Sequence, residues 1–425
     1  MVRHVRHPHP SLPHRIITGI RRRLLPEGSP AILTLAIGSR AAVIAVGLAA
    51  SIAAGSTPHG APRVADSVFW NLPARWDAMW YLSIADHGYR WDPAQPSEEW
   101  NVAFFPAFPV LMRVAGNVVT MPGYWLGDSS VFGGTADTRL LFGGWLISIL
   151  AFTWGLANVY ALARDDLGPA RAHWAVLLLA YFPFALFYSA PYSEGVFFLA
   201  LTSAFLAARQ GRLWATFLWG ALAALARQTG VIVAVPLALL AVSRAAVAPA
   251  DGRLFAWRGW CLDWRQMLAA TGPGAGFGVH LGVLWWQVGD PFAWVKAQEG
   301  WWHSASSAPF YVERVAHVRS LGFGGYFDMM PGHALGTFLP FFAAALLWRT
   351  WRLAPAYAAL VVLTLVPAVA IDTPSMGRMV APLFPLFIAL AAVLPTRKDV
   401  WIVGGVFGLA QLWAARIFYE WGMMY

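Results

Sequence analysis

The residues best equipped for chemistry in this 425-residue chain form one stretch, Arg75-Trp76-Asp77-Ala78-Met79-Trp80-Tyr81, which continues through Ile84-Ala85 to Gly88-Tyr89. It sets an acid and a base among aromatic side chains, after the first long apolar segment. A carboxylate beside a bilayer is costly to keep and marks a functional candidate. Partial desolvation by aromatic walls raises its basicity. A base within hydrogen-bond reach of a hydroxyl can then take its proton. The simpler reading pairs Asp77 with Arg75 to fix the loop. Where the stretch lies relative to a membrane decides what the chain can do.

Hydrophobic residues make up 58% of the sequence and charged residues 12%, whereas soluble domains carry about 25% charge. Mean hydropathy is +0.55. The composition is that of a polytopic, all-α membrane protein. The one cysteine, Cys261, excludes a disulfide framework and a thiolate metal site. The net charge of +9 does not point to nucleic acid, because the bases sit in short clusters between apolar segments. Lysine occurs only at Lys296 and Lys398, and the arginine and alanine bias is that of a GC-rich bacterial genome. Residues 1–30, with His4, His7, His9, His14 and the run Arg21-Arg22-Arg23, read as a basic cytosolic tail.

A membrane helix needs about 20 largely apolar residues. About 11 spans are expected, near 31–54, 138–162, 172–189, 192–208, 213–227, 230–245, 268–288, 333–348, 354–371, 379–395 and 400–419, within a single membrane domain over 31–420. With the tail in the cytosol, every second connection is basic: Arg164 and Arg171; Arg209 and Arg212; Arg244, Arg253, Arg258 and Arg265; Arg349 and Arg352; Arg397 and Lys398. That is the positive-inside pattern. A full span at 104–120 would invert it, so Phe104-Phe105-Pro106-Ala107-Phe108-Pro109 is read as an interfacial or re-entrant element, its prolines breaking a regular helix. The topology places Asp77, Glu194, Arg227, Asp372 and Arg378 on the outer side, with long outer loops at 55–137 and 289–332. No nucleotide sugars are supplied there, so group transfer needs a membrane-borne donor.

Together, Arg75 to Tyr89, Phe104 to Pro109, Ser189-Ala190-Pro191-Tyr192-Ser193-Glu194, Ala226-Arg227-Gln228-Thr229-Gly230, Gly289 to Gln298 and Ser375-Met376-Gly377-Arg378 ahead of Pro382-Leu383-Phe384-Pro385 resemble the GPI mannosyltransferase II (PIG-V) family. The likeness is to bacterial, actinobacterial-like members and runs in order over about residues 35–395. It implies a GT-C fold with interfacial helices in the outer loops. It also implies transfer of a sugar, mannose above all, from a polyprenyl-phosphate donor to an acceptor hydroxyl, with inversion, at the outer face of the plasma membrane. The acceptor class stays open among glycolipid, polysaccharide and protein; no cofactor or metal is called for.

Within that scheme Asp77 is the base. Arg378 and Arg227 stand where positive-inside logic disfavours positive charge, and a guanidinium can hold a leaving phosphate bidentately. Snorkelling to the interface is the alternative. Arg75, Trp76, Trp80 and Tyr81 are candidate substrate contacts. Glu194 either favours a helix N-terminus after Pro191 or hydrogen-bonds sugar hydroxyls. Asp86, nine residues after Asp77, falls on another face of a helix, and His87 ends that helix before Gly88. Arg40 is read as snorkelling or interhelical. Phe292, Trp294, Trp301 and Trp302 suit an aromatic belt or stacking on sugar faces. The glycines of 272–278 open a span, so they suit close helix packing rather than a dinucleotide. A second function class, a transporter or flippase of a lipid-linked sugar, predicts repeats or mid-span acids; neither is visible.

Overall fold

The computed structural model describes residues 29–55, 61–125, 135–244, 254–257, 260–301, 310–370 and 375–424. The expected tail at 1–30 lies almost wholly outside them, as do Asp372 and Trp302. The helices that build the bundle are α1 (Ser29–Ala54), α2 (Ala78–His87), α3 (Ala107–Trp125), α4 (Ala136–Leu167), α5 (Pro169–Ala180), α6 (Glu194–Arg209), α7 (Leu213–Ala226), α8 (Ala234–Leu240), α9 (Gly272–Val288), α10 (Pro331–Gly336), α11 (Leu339–Leu353), α12 (Pro355–Ala370), α13 (Met376–Val380), α14 (Phe384–Val393) and α15 (Arg397–Tyr419). One hydrophobic core runs through them from Ile32 to Met424.

Among the described residues five helices are long and apolar enough to cross a membrane, or six if one bent pair is a single span. Shorter apolar helices at Leu213–Ala226, Gln228–Leu240, Pro355–Ala370 and Phe384–Val393 fall where further spans are expected. The chain is a multi-pass membrane protein. Helix direction sorts the charges: α6 runs from Glu194 to Arg209, and α7 returns from beside Arg212 to beside Arg227. Glu194 and Arg227 therefore share one end of the bundle, and the basic pair Arg209 and Arg212 the other.

The bent pair is α5 and the 3-10 segment Pro183–Ser189, which meet at 76°. A break inside an apolar bundle frees backbone groups that water cannot satisfy. Polar side chains from three helices supply the missing bonds. Arg40 of α1 donates to the carbonyls of Ala185 and, at 2.9 Å, Ala180. Gln411 of α15 donates to Ala180 and Phe182 at 3.1 and 2.7 Å, and Trp145 of α4 to Ser189 at 2.5 Å. Arg40 is thus interhelical, and fully buried rather than snorkelling. This pinned break leads directly into Glu194.

One expectation is corrected. The 104–120 prolines do not break a helix: Pro106 precedes α3 and Pro109 sits in its first turn, where a missing N–H has no partner to lose. α3 instead lies along α4, so close that a Cβ on Gly143 would come within 2.3 Å of the Gly116 nitrogen. The connection after α8 carries a small sheet. Val242–Arg244, Leu254–Trp257 and Trp260–Asp263 form an antiparallel sheet, β1 to β3 in chain order, with β3 in the middle. Of the 272–278 glycines, Gly272 and Gly276 press against the Phe217 and Ala221 carbonyls, as close packing requires.

The two long loops meet each other. Tyr89 and Val102 from the first and Ala293 and Ala297 from the second bury a small apolar cluster against Leu284. Trp301 donates from Nε1 to the Trp100 carbonyl at 3.1 Å. This places an aromatic floor beside α2, which carries the Asp77 motif.

Candidate active site

Asp77 stands at the N-terminus of α2, where aspartate ordinarily caps the helix with its side chain. Here it makes no such cap, and its backbone is helical at φ −57, ψ −18. The carboxylate is turned instead to α13, where Arg378 donates from Nη1 to Asp77 Oδ2 at 2.6 Å. The same guanidinium donates from Nε to Glu194 Oε1 at 2.5 Å, and Arg227 Nη1 donates to that same oxygen. Four charges from four parts of the chain form one cluster, Asp77–Arg378–Glu194–Arg227. Charged groups out of water persist only when paired in this way.

Exposure grades through the cluster and separates the roles of its carboxylates. The Glu194 side chain is 1% exposed, Arg378 10%, Arg227 12% and Asp77 20%. Asp77 is the more exposed carboxylate; Glu194 is the counter-ion on which both guanidinium groups converge. Glu194 Oε2 is buried with no hydrogen-bond partner among the described residues.

Local sequence explains the approach. A Cβ on Gly377 would lie 2.0 Å from the Phe184 ring, so only glycine lets α13 press Arg378 onto the 183–189 segment. Arg378 then stacks over Tyr192 and Phe187, with its central carbon 5.0 and 5.3 Å from their ring centres. Gly230 lies against the Ala223 carbonyl, where a Cβ would come within 2.1 Å, so the chain doubles back immediately after Arg227.

The neighbours of Asp77 are tightly held. Tyr192 accepts from the Asp77 amide at 3.1 Å and donates to the Arg75 carbonyl at 3.2 Å. Tyr81 donates to Ser193 Oγ at 2.8 Å. Burial, with the Glu194 carboxylate nearby, pushes the Tyr81 phenol well above its usual range, so it remains a donor. Trp80 stays half-buried, in edge contact with Trp301 at 5.1 Å and stacked on Phe104 at 6.2 Å.

Arg75 differs from both of its expected roles. It neither pairs with Asp77 nor faces an opening. It is 3% exposed and donates to the carbonyls of Asn71, Ala74 and Tyr419 at 2.8, 3.2 and 3.2 Å. Trp76 packs on Trp421 rather than opening toward the cluster. Asp86 is exposed beside His87, away from Asp77, and Gly88 at φ 81 ends α2 after His87 as expected. Tyr192 and Ser193 had no assigned role, although both lie within the Ser189–Glu194 motif.

A narrow cleft opens beside the guanidinium pair. Phe197, Leu201, Leu360, Thr364, Met379 and Leu383 line it together with Arg227 and Arg378. One end is therefore cationic and the rest largely apolar.

The sequence model of a family described as mannosyltransferase (PIG-V) matches residues 40–246, a segment that contains Asp77, Glu194 and Arg227. Over those residues the chain is similar to the PIG-V mannosyltransferase family. The GPI α-1,6-mannosyltransferase 2 of Mus musculus is 34% identical over 166 residues, covering 37% of this chain and 29% of that protein. Its Homo sapiens counterpart is 32% identical over 165 residues, covering 37% and 29%. The chain thus matches less than a third of the length of these curated relatives. Among solved structures, an Archaeoglobus fulgidus oligosaccharyltransferase in complex with Zn and sulfate is 16% identical with a TM-score of 0.46, covering 90% of this chain and 53% of that one. An Archaeoglobus fulgidus oligosaccharyltransferase in complex with an inhibitory peptide and a dolichol-phosphate gives 14% and 0.44, covering 90% and 55%. Arg378 lies beyond the matched segment, yet its guanidinium joins two of that segment's acids, Asp77 and Glu194.

Proposed function

We propose that this protein is a GT-C-type membrane mannosyltransferase. It moves mannose from a polyprenyl-phosphate donor to an acceptor hydroxyl on the outer face of the plasma membrane. The reading rests on one observation: a partly exposed carboxylate, Asp77, shares a guanidinium with the buried Glu194, which a second guanidinium also engages. That cluster meets both demands of displacing a lipid phosphate, a base at the acceptor and cations at the leaving group.

In the step, Asp77 takes the proton of the acceptor hydroxyl as its oxygen forms a bond to the sugar's anomeric carbon. The bond from that carbon to the phosphate oxygen breaks on the opposite side, and its electron pair leaves with the phosphate. A β-linked donor gives an α-linked product. Arg378 and Arg227 hold the departing charge. The Trp80–Trp301 corner suits the face of a sugar ring. The acidic groups sit at the ends of helices rather than mid-span, which favours an enzyme over a coupled transporter. The alternation of basic connections supports a cytosolic N-terminus and an outward-facing site.

The test is reconstitution of the purified protein with short-chain polyprenyl-phosphate-mannose, labelled in the sugar, and a membrane extract as acceptor. Label should pass to an extractable product with the parental protein and not with Asp77→Asn. Absence of transfer by folded parental protein overturns the proposal.

A further inference from the structure

Only two non-glycine residues among those described adopt a positive φ, Trp76 at 49° and Trp421 at 67°. They are 345 positions apart in sequence, and they touch: their ring centres are 5.6 Å apart with the planes at 58°. A bulky residue in the left-handed region is a strained outlier, and such strain concentrates at functional sites. One of the two immediately precedes Asp77.

The surroundings tie the pair to the site. The segment after α15 turns back at once, with the Gly422 amide donating to Ile417 at 2.7 Å. Arg75 binds this turn twice, by its bond to the Tyr419 carbonyl and by lying 4.8 Å over the Trp421 ring. The turn also reaches the opposite side of the cluster. Gly332 of α10 donates to the Met423 carbonyl at 3.2 Å and lies so close to Met424 that a Cβ would come within 2.6 Å. α10 in turn packs on α13, the helix of Arg378. The turn at 419–424 therefore spans from the loop of Asp77 to the support of Arg378.

We infer that Trp421 is a positioning residue of the mannosyltransferase site. Its ring is the strut that holds Trp76 in its left-handed conformation and so fixes where the Asp77 carboxylate stands relative to Arg378. The inference rests on the transferase reading, but its structural half can be tested apart from it. The Trp421 indole N–H is buried without a hydrogen-bond partner among the described residues, so the ring acts by packing alone. Glycine adopts a positive φ freely. Trp421→Gly therefore removes the strut and leaves the turn's backbone unstrained, whereas Trp421→Phe keeps an aromatic face.

Two measurements decide it on the same full-length, purified variants. Amide hydrogen exchange over residues 75–81 should rise several-fold in Trp421→Gly and return toward the parental rate in Trp421→Phe, whether or not the protein transfers sugar. Turnover should fall by about 10²-fold in Trp421→Gly, the cost of a displacement near 1 Å. The donor KM should stay within about twofold, and Trp421→Phe should recover most of the rate. Unchanged exchange at 75–81 overturns the strut. Raised exchange with unchanged turnover overturns the positioning role. So does a fall in yield or melting temperature with parental specific activity in the surviving protein. If the parental protein transfers no sugar, the function fails, and the exchange data alone still decide whether Trp421 holds the Asp77 loop.

Discussion

Arg378 meets Asp77 at 2.6 Å across 301 residues of sequence, and with its second face it holds Glu194. The base proposed to take the acceptor's proton and the cation proposed to hold the leaving phosphate are thus in contact. A donor phosphate held by Arg378, as proposed, would compete with Asp77 for the same guanidinium. On the proposed function, donor binding and release of the base would thereby be coupled.

Asp77→Asn keeps the side chain's shape and removes its basicity. A base acting in the transition state contributes about 10²–10⁴ in rate, so turnover should fall within that range while folding and donor binding persist. Steady-state kinetics on monodisperse protein checks this. An asparagine variant that transfers at the parental rate removes Asp77 from the chemistry.

Arg378→Ala should raise the donor KM by at least about 10-fold, since hydrogen bonds to charged groups contribute about 1.5–3 kcal/mol. Arg378→Lys should recover only part, because an ammonium cannot reproduce the planar fork. Titration with the lipid phosphate alone, followed by protection against thermal unfolding, reads the same contact without catalysis. Equal protection of the parental and alanine forms would exclude Arg378 from the phosphate site.

Glu194→Gln should damage the fold more than Asp77→Asn. It leaves Arg227 and Arg378 facing a neutral group in a nearly inaccessible place, and breaking a buried pair costs about 3–5 kcal/mol. The expected result is a clear drop in melting temperature together with weakened donor use. Parental stability would show that the two arginines do not depend on Glu194.

Gly377→Ala tests whether close approach places Arg378. The new methyl would meet the Phe184 ring, and overpacking of this kind costs about 1–3 kcal/mol. Loss of transfer with retained expression is expected; parental activity would mean that α13 can shift without disturbing the cluster.

The orientation is checked with single cysteines at 60, 130 and 310 in a Cys261→Ser background, labelled in intact cells with an impermeant maleimide. All three should react from outside. Reaction only after the membrane is opened would place the site in the cytosol.

Much of the architecture was legible in the sequence because it depends on local composition. Runs of apolar residues long enough for a bilayer must satisfy their own backbone and become helices. Helix order alone puts the Arg209–Arg212 connection at the end opposite Glu194 and Arg227, and Gly88 ends α2 where a left-handed residue is needed. The candidates Asp77, Glu194, Arg227 and Arg378 could each be picked out one at a time, as polar groups at the ends of apolar segments. Their pairing could not. Arg75 stands two residues from Asp77, yet its donors reach back to carbonyls while the carboxylate points to Arg378. Adjacency in sequence says nothing of side-chain direction. The bend between α5 and Pro183–Ser189, the close fit of Gly377 on Phe184 and the meeting of Trp76 with Trp421 likewise arise only when distant helices pack. Apolar length and charge alternation are properties of a segment, and the sequence by itself determined them. Which guanidinium reaches which carboxylate is a property of the packed bundle, because it depends on sub-ångström closeness between segments that no local pattern encodes.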